Sequence, residues 1–167
     1  MMLLDLKSVI AAPGAEREFS CELDTERLDF PFIRAYTGPI ECSGRVVNQA
    51  GVLHLNAQLV SPQLCVCDRC GREFPREVRE NFSVLLSEHI QDEDDAEVFE
   101  LSDGSIDVED VLSVCFILNM ESKCLCQEDC LGLCPVCGKN LNEGGCGCLR
   151  PKDHRLAVLQ QLLDDNS

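Results

Sequence analysis

Seven of the chain's thirteen cysteines lie between Cys124 and Cys148, in the run Cys124-Leu-Cys126-Gln-Glu-Asp-Cys130-Leu-Gly-Leu-Cys134-Pro-Val-Cys137-Gly138, followed by Cys146-Gly-Cys148. Zinc takes four soft ligands in a tetrahedron, and two close cysteine pairs joined by a short turn supply them with little chain ordering. Cys134-Pro-Val-Cys137-Gly138 is the stronger half. Proline restricts the turn, and glycine permits the backbone that brings N–H groups towards sulfur. Cys146 and Cys148 follow after Gly144-Gly145, which gives Cys134, Cys137, Cys146 and Cys148 as the preferred tetrad of a structural zinc site with no open position for water. The competing readings are a loop of free thiols and an iron-sulfur cluster, which spacing alone does not separate from zinc. Cys126 and Cys130 are alternates: they replace one preferred pair or join Cys67 and Cys70, the candidate second pair, around a second metal. The run Cys65-Val-Cys67-Asp-Arg-Cys70-Gly71 is an incomplete zinc site by itself, and a turn of buried or reducible cysteines is its bland alternative. Cys21, Cys42 and Cys115 are isolated in sequence and read as small core residues.

Elements with two different periods must position these ligands. Residues 45–60 break at Asn48 to Gly51 and then alternate, with Leu53, Leu55, Ala57 and Leu59 on one face, which predicts a hairpin with one buried side. A further extended run covers 75–87, and Phe19, Cys21 and Leu23 mark another strand upstream. An antiparallel sheet over about 16–87 follows. Downstream, Val108, Val111, Leu112, Cys115 and Leu118 recur at intervals of three and four after a cap at Asp107, predicting a helix over about 108–119 that covers the sheet. Asp153, with Leu156, Leu159, Leu162 and Leu163, predicts a short C-terminal helix over 154–164. The fold class is therefore α+β. The expected organisation is a β-rich domain over 1–120 with an acidic loop at 88–107, a cysteine-rich metal-binding segment over 121–150, and a helix within 151–167 packed on the same domain.

The chain has 167 residues and a formal charge of −16, from 30 carboxylates against 14 Lys and Arg. Glu88 to Asp110 alone holds eleven Asp and Glu and no Lys or Arg. Such a surface repels phosphate at long range and attracts basic proteins, unless the acidic run is merely a solvated loop. Neither an export signal nor a membrane-spanning apolar stretch is read, so the expectation is a cytoplasmic protein with reduced thiols, which favours metal over disulfides.

Taken together, Cys67-Asp-Arg-Cys70-Gly-Arg-Glu-Phe74, Ile106-Asp107-Val108, the run Cys126 to Asn142, Cys146-Gly-Cys148 and Asp153-His-Arg-Leu-Ala-Val-Leu159 resemble the bacterial YceD family over residues 40–163. One departure is His154, where many relatives carry proline. The resemblance implies a role in accumulation of large-subunit ribosomal RNA, hence in large-subunit biogenesis, with no established catalytic activity. The partners it implies are a pre-ribosomal particle, ribosomal RNA or a basic ribosomal protein, with no small-molecule substrate.

On the residues themselves, Arg69, Arg72 and Arg76 around Phe74 are RNA-contact candidates, since an aromatic among guanidiniums stacks on an unpaired base and pairs with phosphate. Asp68, Glu73, Glu77 and Glu80 cancel these charges locally, and the plain alternative is a solvated sheet face. His54, His89 and His154 stand in no catalytic motif, and no phosphate loop or nucleophile elbow occurs. A non-enzymatic factor is expected. Its rival is a redox sensor, whose zinc-bound thiolates oxidise and release the metal.

Overall fold

The computed structural model describes residues 2–88 and 98–149. The densest part of the acidic run and the expected helix over 154–164 lie outside them. The elements in chain order are β1 (Leu3–Asp5), α1 (Lys7–Ile10), β2 (Glu16–Leu23), β3 (Ile33–Tyr36), β4 (Ile40–Gln49), β5 (Val52–Val66), β6 (Glu73–Ser87), β7 (Val98–Glu100), β8 (Ser105–Asp107) and α2 (Val108–Asn119). The described residues are thus mostly β-sheet with few helices.

Pairing follows the alternation of the sequence. β4 and β5 form a hairpin whose two-residue turn needs left-handed backbone, with Ala50 at φ 55° and Gly51 at φ 96°. Such a turn matches the twist of its strands. Asn48 serves both sides: its Oδ1 accepts from Gly51 N at 2.8 Å, and its buried Nδ2 donates to Val9 O at 2.8 Å, tying α1 to the hairpin. β5 then pairs antiparallel with β6 from Leu53–Leu86 to Val66–Glu73. The main sheet runs β2-β4-β5-β6-β7, with β3 also on β5, while β1 and β8 form a separate pair. The expectation of an antiparallel sheet is corrected in one place. Every pairing within 16–87 is antiparallel, but β7, inside the stretch expected as an acidic loop, lies parallel to β6, so the sheet as a whole is mixed.

Alternate residues of β5, Leu53, Leu55, Ala57 and Leu59, face the core, and towards its end Ser61, Gln63 and Cys65 keep that phase. One row crosses four strands as Phe19, Gly44, Ala57 and Phe82. The two small residues sit between two large ones. A Cβ at Gly44 would lie 2.3 Å from Asn56 O and 2.8 Å from Ala57 Cα. Gly44→Ala should therefore destabilise the protein by about 1–3 kcal/mol, read as a lower urea midpoint.

α2 starts at Asp107, whose side chain accepts from Glu109 N, with Glu109 and Asp110 in the first turn where the helix dipole favours anions. Its residues Val108, Val111, Leu112, Cys115 and Phe116 share one core cluster with the sheet. Phe116 is 1% exposed and meets Phe30 edge-on at 6.0 Å. No described helix is long and apolar enough to cross a membrane.

Candidate metal centres

The end of β5 turns directly into the first cysteine knuckle. Cys67 N donates to Arg72 O at 2.9 Å and Gly71 N to Cys67 O at 2.8 Å, with Gly71 at φ 68°. The tail repeats this turn bond for bond: Cys134 N donates to Lys139 O at 2.8 Å and Gly138 N to Cys134 O at 2.9 Å, with Gly138 at φ 72°. The shared Cys-x-x-Cys-Gly pattern thus encodes one local structure twice. Glycine holds the positive φ, and the tight turn sets two sulfurs on the same side.

Each knuckle faces a second pair. The Sγ atoms of Cys67, Cys70, Cys126 and Cys130 lie within 4.8 Å of one another, and so do those of Cys134, Cys137, Cys146 and Cys148. In the first group Cys67 and Cys130 are 3.8 Å apart, and Cys70 and Cys126 3.7 Å. A zinc ion about 2.3 Å from four tetrahedral sulfurs holds them about 3.8 Å apart, whereas a disulfide would need about 2.05 Å. Both groups could hold a metal ion. Cys126 and Cys130, the alternates for the tail tetrad, come together with Cys67 and Cys70 across more than fifty residues of sequence.

Charge makes the same demand. At Cys67 burial opposes the thiolate, but the N–H groups of Cys126, Cys70 and Arg69 outweigh it and bring the pKa down to about 6. At Cys134 the N–H groups of Cys137 and Val136 lower it, also to about 6. Each group equally contains a thiol pushed up to about 12. For Cys126 the causes are burial and hydrogen bonds with the neighbouring thiols of Cys67 and Cys70; for Cys148 they are hydrogen bonds with Cys137 and Cys146. Sulfurs this close cannot all ionise without a cation between them. Four thiolates suit a soft or borderline divalent ion.

Side chains beyond the sulfurs fix the tail to the sheet. Asp68 N donates to Cys124 O at 2.9 Å, and the Asp68 carboxylate accepts from Cys124 N at 2.6 Å. Three residues separate Cys130 from Cys134, and a Cβ at Gly132, which sits at φ 73°, would come 3.0 Å from Arg69 O. The second knuckle is therefore stacked closely on the first. Asn142 joins them: its amide donates to Cys130 Sγ at 3.3 Å, and its Oδ1 accepts from Leu131 N at 2.9 Å. Loss of such a contact to a ligand typically weakens metal binding about 10- to 100-fold, so Asn142→Ala should lower affinity by that factor in chelator competition.

The residues read as RNA contacts surround the first tetrad. Arg69 Nη1 donates to Cys130 O at 2.9 Å, Arg72 hydrogen-bonds the Cys126 sulfur, and Phe74 packs against Cys67, Cys70 and Cys130. Arg76 pairs with Glu121 at 2.8 Å and donates to Cys124 Sγ at 3.8 Å. Cys124 is wholly buried and hydrogen-bonds the Cys65 thiol, whose pKa is pushed up to about 12, first by burial and then by this neighbour. Cys21 and Cys42 stand directly opposite each other on β2 and β4, while Cys115 is buried on α2. Sequence reading missed both thiol contacts, Cys21 with Cys42 and Cys65 with Cys124, as well as Asn142 and the role of Asp68. The Cys-x-Cys spacing shared by 65–67 and 124–126 is a signal that relates the two segments, but Cys146-Gly-Cys148 carries it too, so spacing alone does not pick out the partner.

Comparison with known proteins adds the decisive observation. The profile of the family described as Large ribosomal RNA subunit accumulation protein YceD matches residues 54–163, more than half of the chain and all eight clustered cysteines. The chain belongs to the YceD family. No curated protein and no solved structure matches it. The YceD match begins within β5 and takes in β6, α2 and both tetrads, so the part of the sheet that carries the first knuckle falls within it. β1 to β4 precede the matched region.

Proposed function

We propose that this YceD-family chain is a non-catalytic factor in biogenesis of the large ribosomal subunit, working in the cytoplasm, with a structural zinc ion in each cysteine tetrad. Family membership over residues 54–163 carries the ribosomal part of the reading. The donor sets support the structural part. Both groups consist of four cysteines, without histidine or carboxylate, and a site closed by four thiolates leaves no position for substrate or water. Sulfurs within 4.8 Å of one another enclose a single ion, whereas a multi-iron cluster inserts further irons and sulfides between its cysteines. Zinc in the first tetrad would clamp the tail onto the end of β5; zinc in the second would fold the glycine-rich remainder. A boundary near 121 then separates a part held by apolar packing from a part held by metal.

The immediate contact is a basic ribosomal protein within a pre-ribosomal particle. The chain's charge of −16 supports this, since opposite charge steers encounter. Direct ribosomal RNA contact is the second reading. It is favoured by Arg69 and Arg72, which remain exposed beside Phe74 although both bond the tail. Mixed at low salt with extract and sedimented, the protein should travel with large-subunit precursors and leave them as salt rises. If it stays at the top of the gradient at low salt, the ribosomal reading fails. The rival from another class, a thiol and zinc redox sensor, would use the same sulfurs, of which Cys137 is exposed. Metal release at low peroxide equivalents with a reversible change in precursor binding would favour the sensor.

A further inference from the structure

β2 ends the main sheet. Its eight residues, Glu16–Leu23, pair with β4 on one side only, and among the described residues their backbone groups have no other main-chain partner. In an antiparallel pair alternate residues direct N–H and C=O away from the neighbour, so this edge offers a row of donors and acceptors. A strand this long, free on one side, is a template for another chain.

The side chains choose the chain that fits. On the outer face of the sheet Glu18 and Glu22 project from β2, and Glu22 lies directly opposite Glu41 of β4. Like charges in that position repel. Glu18 lies opposite Arg45, but that guanidinium reaches Glu16, at 3.4 Å, and among the described residues neither Glu22 nor Glu41 has a cationic ion-pair partner. The opposite face carries Arg17 near the start of β2, and towards Cys21 it meets the carboxylates at the start of α2. The Cys21 thiol there is lowered chiefly by its hydrogen bond with Cys42, and it feels the charges of Glu109 and Asp107 at the start of α2. The Arg27–Asp110 ion pair, at 3.0 Å, holds the turn after β2 against that same helix start. A strand added here would place successive side chains alternately beside Glu18 and Glu22 on one face and beside the α2 carboxylates on the other. Ser20 and Cys21 at the middle of β2 leave the approach uncrowded. A second copy of this chain pairing through β2 would instead bring glutamates against glutamates.

We propose that the free edge of β2 takes up an extended, lysine- or arginine-rich segment of a protein partner, which joins the sheet as a further strand. The inference rests on the preceding section only for the identity of that partner as ribosomal; the recognition chemistry stands on the edge itself. Main-chain bonds supply attachment, and alternating carboxylates supply the preference for positive side chains.

The test uses the full chain and a labelled ten-residue peptide of alternating lysine and threonine. Saturable binding is expected, weakened about tenfold or more by Glu18→Lys with Glu22→Lys, and accompanied by slowed hydrogen exchange at alternate β2 amides. A peptide of the same charge but N-methylated at every residue has no N–H to offer from either edge, cannot pair, and should lose this binding and this protection. Equal binding of the methylated peptide, or protection elsewhere than β2, would overturn the proposal in favour of unspecific attraction. Dimerisation through β2 in the absence of peptide, or preference for an RNA oligonucleotide at the same edge, would overturn it too. Failure to sediment with precursors while the peptide still binds β2 would reject the ribosomal reading and leave the edge intact.

Discussion

Stripping metal from the protein with a strong chelator should unfold residues 122–149 while the sheet stays folded. Structural zinc contributes about 10–16 kcal/mol of apparent binding free energy in small modules, far more than this segment can gain by packing. Beyond Cys124, Cys130 and Cys134, most of its side chains are exposed, including Leu131, Leu133 and Val136. Its only regular element after α2 is the short 3-10 turn Leu141–Glu143. Hydrogen exchange should therefore rise across the tail on chelation and stay slow in β4, β5 and β6. Single substitutions divide the effect. Cys134→Ser should remove one metal and loosen the second knuckle only, because Cys126 and Cys130 still anchor to Cys67 and Cys70. Cys67→Ser should detach the tail from the sheet, freeing Cys124 from Asp68, while the second knuckle keeps its own ion. A tail that holds its protection in chelator would mean that packing, and not metal, folds it.

The complementary loss lies at Phe116. It is among the largest fully buried side chains, seated where α2 meets the loop carrying Phe30 and the core face of the sheet. Truncating such a phenylalanine removes its transfer energy and leaves a cavity, at a combined cost of about 3–5 kcal/mol. Against a domain stability of about 5–15 kcal/mol this is a large fraction. Phe116→Ala should lower the urea midpoint steeply while metal stoichiometry in the folded protein is unchanged. Opposite behaviour in the two experiments is the mark of a molecule held by two separate means.

What the sequence disclosed follows from the range of the interactions that decide each feature. The turn at Ala50–Gly51, the alternation of Leu53 to Leu59 and the Asp107 cap are local, and they can be read without knowing the partner strands. The same is true of the two Cys-x-x-Cys-Gly knuckles, since proximity along the chain sets their geometry. Pairings over long distances were another matter. Leu3–Asp5 against Ser105–Asp107 leaves no periodic signal in strands of three residues. The parallel course of β7 depends on a connection, not on composition. The meeting of Cys67 and Cys70 with Cys126 and Cys130 stood as one of two options, because a pair in search of ligands does not say which distant pair will reach it. Arg69, Arg72 and Arg76 are legible in sequence as RNA-contact candidates through charge and aromaticity, whereas their bonds to tail carbonyl and sulfur atoms depend on the distant tail and are not.

Elemental analysis of the reduced, full-length chain, purified without added metal, bears most directly on the whole account. Two zinc ions per chain are expected, one for each tetrad, falling to one in Cys67→Ser and to one in Cys134→Ser. A single zinc that survives Cys67→Ser, iron in place of zinc, or no bound metal at all would contradict it.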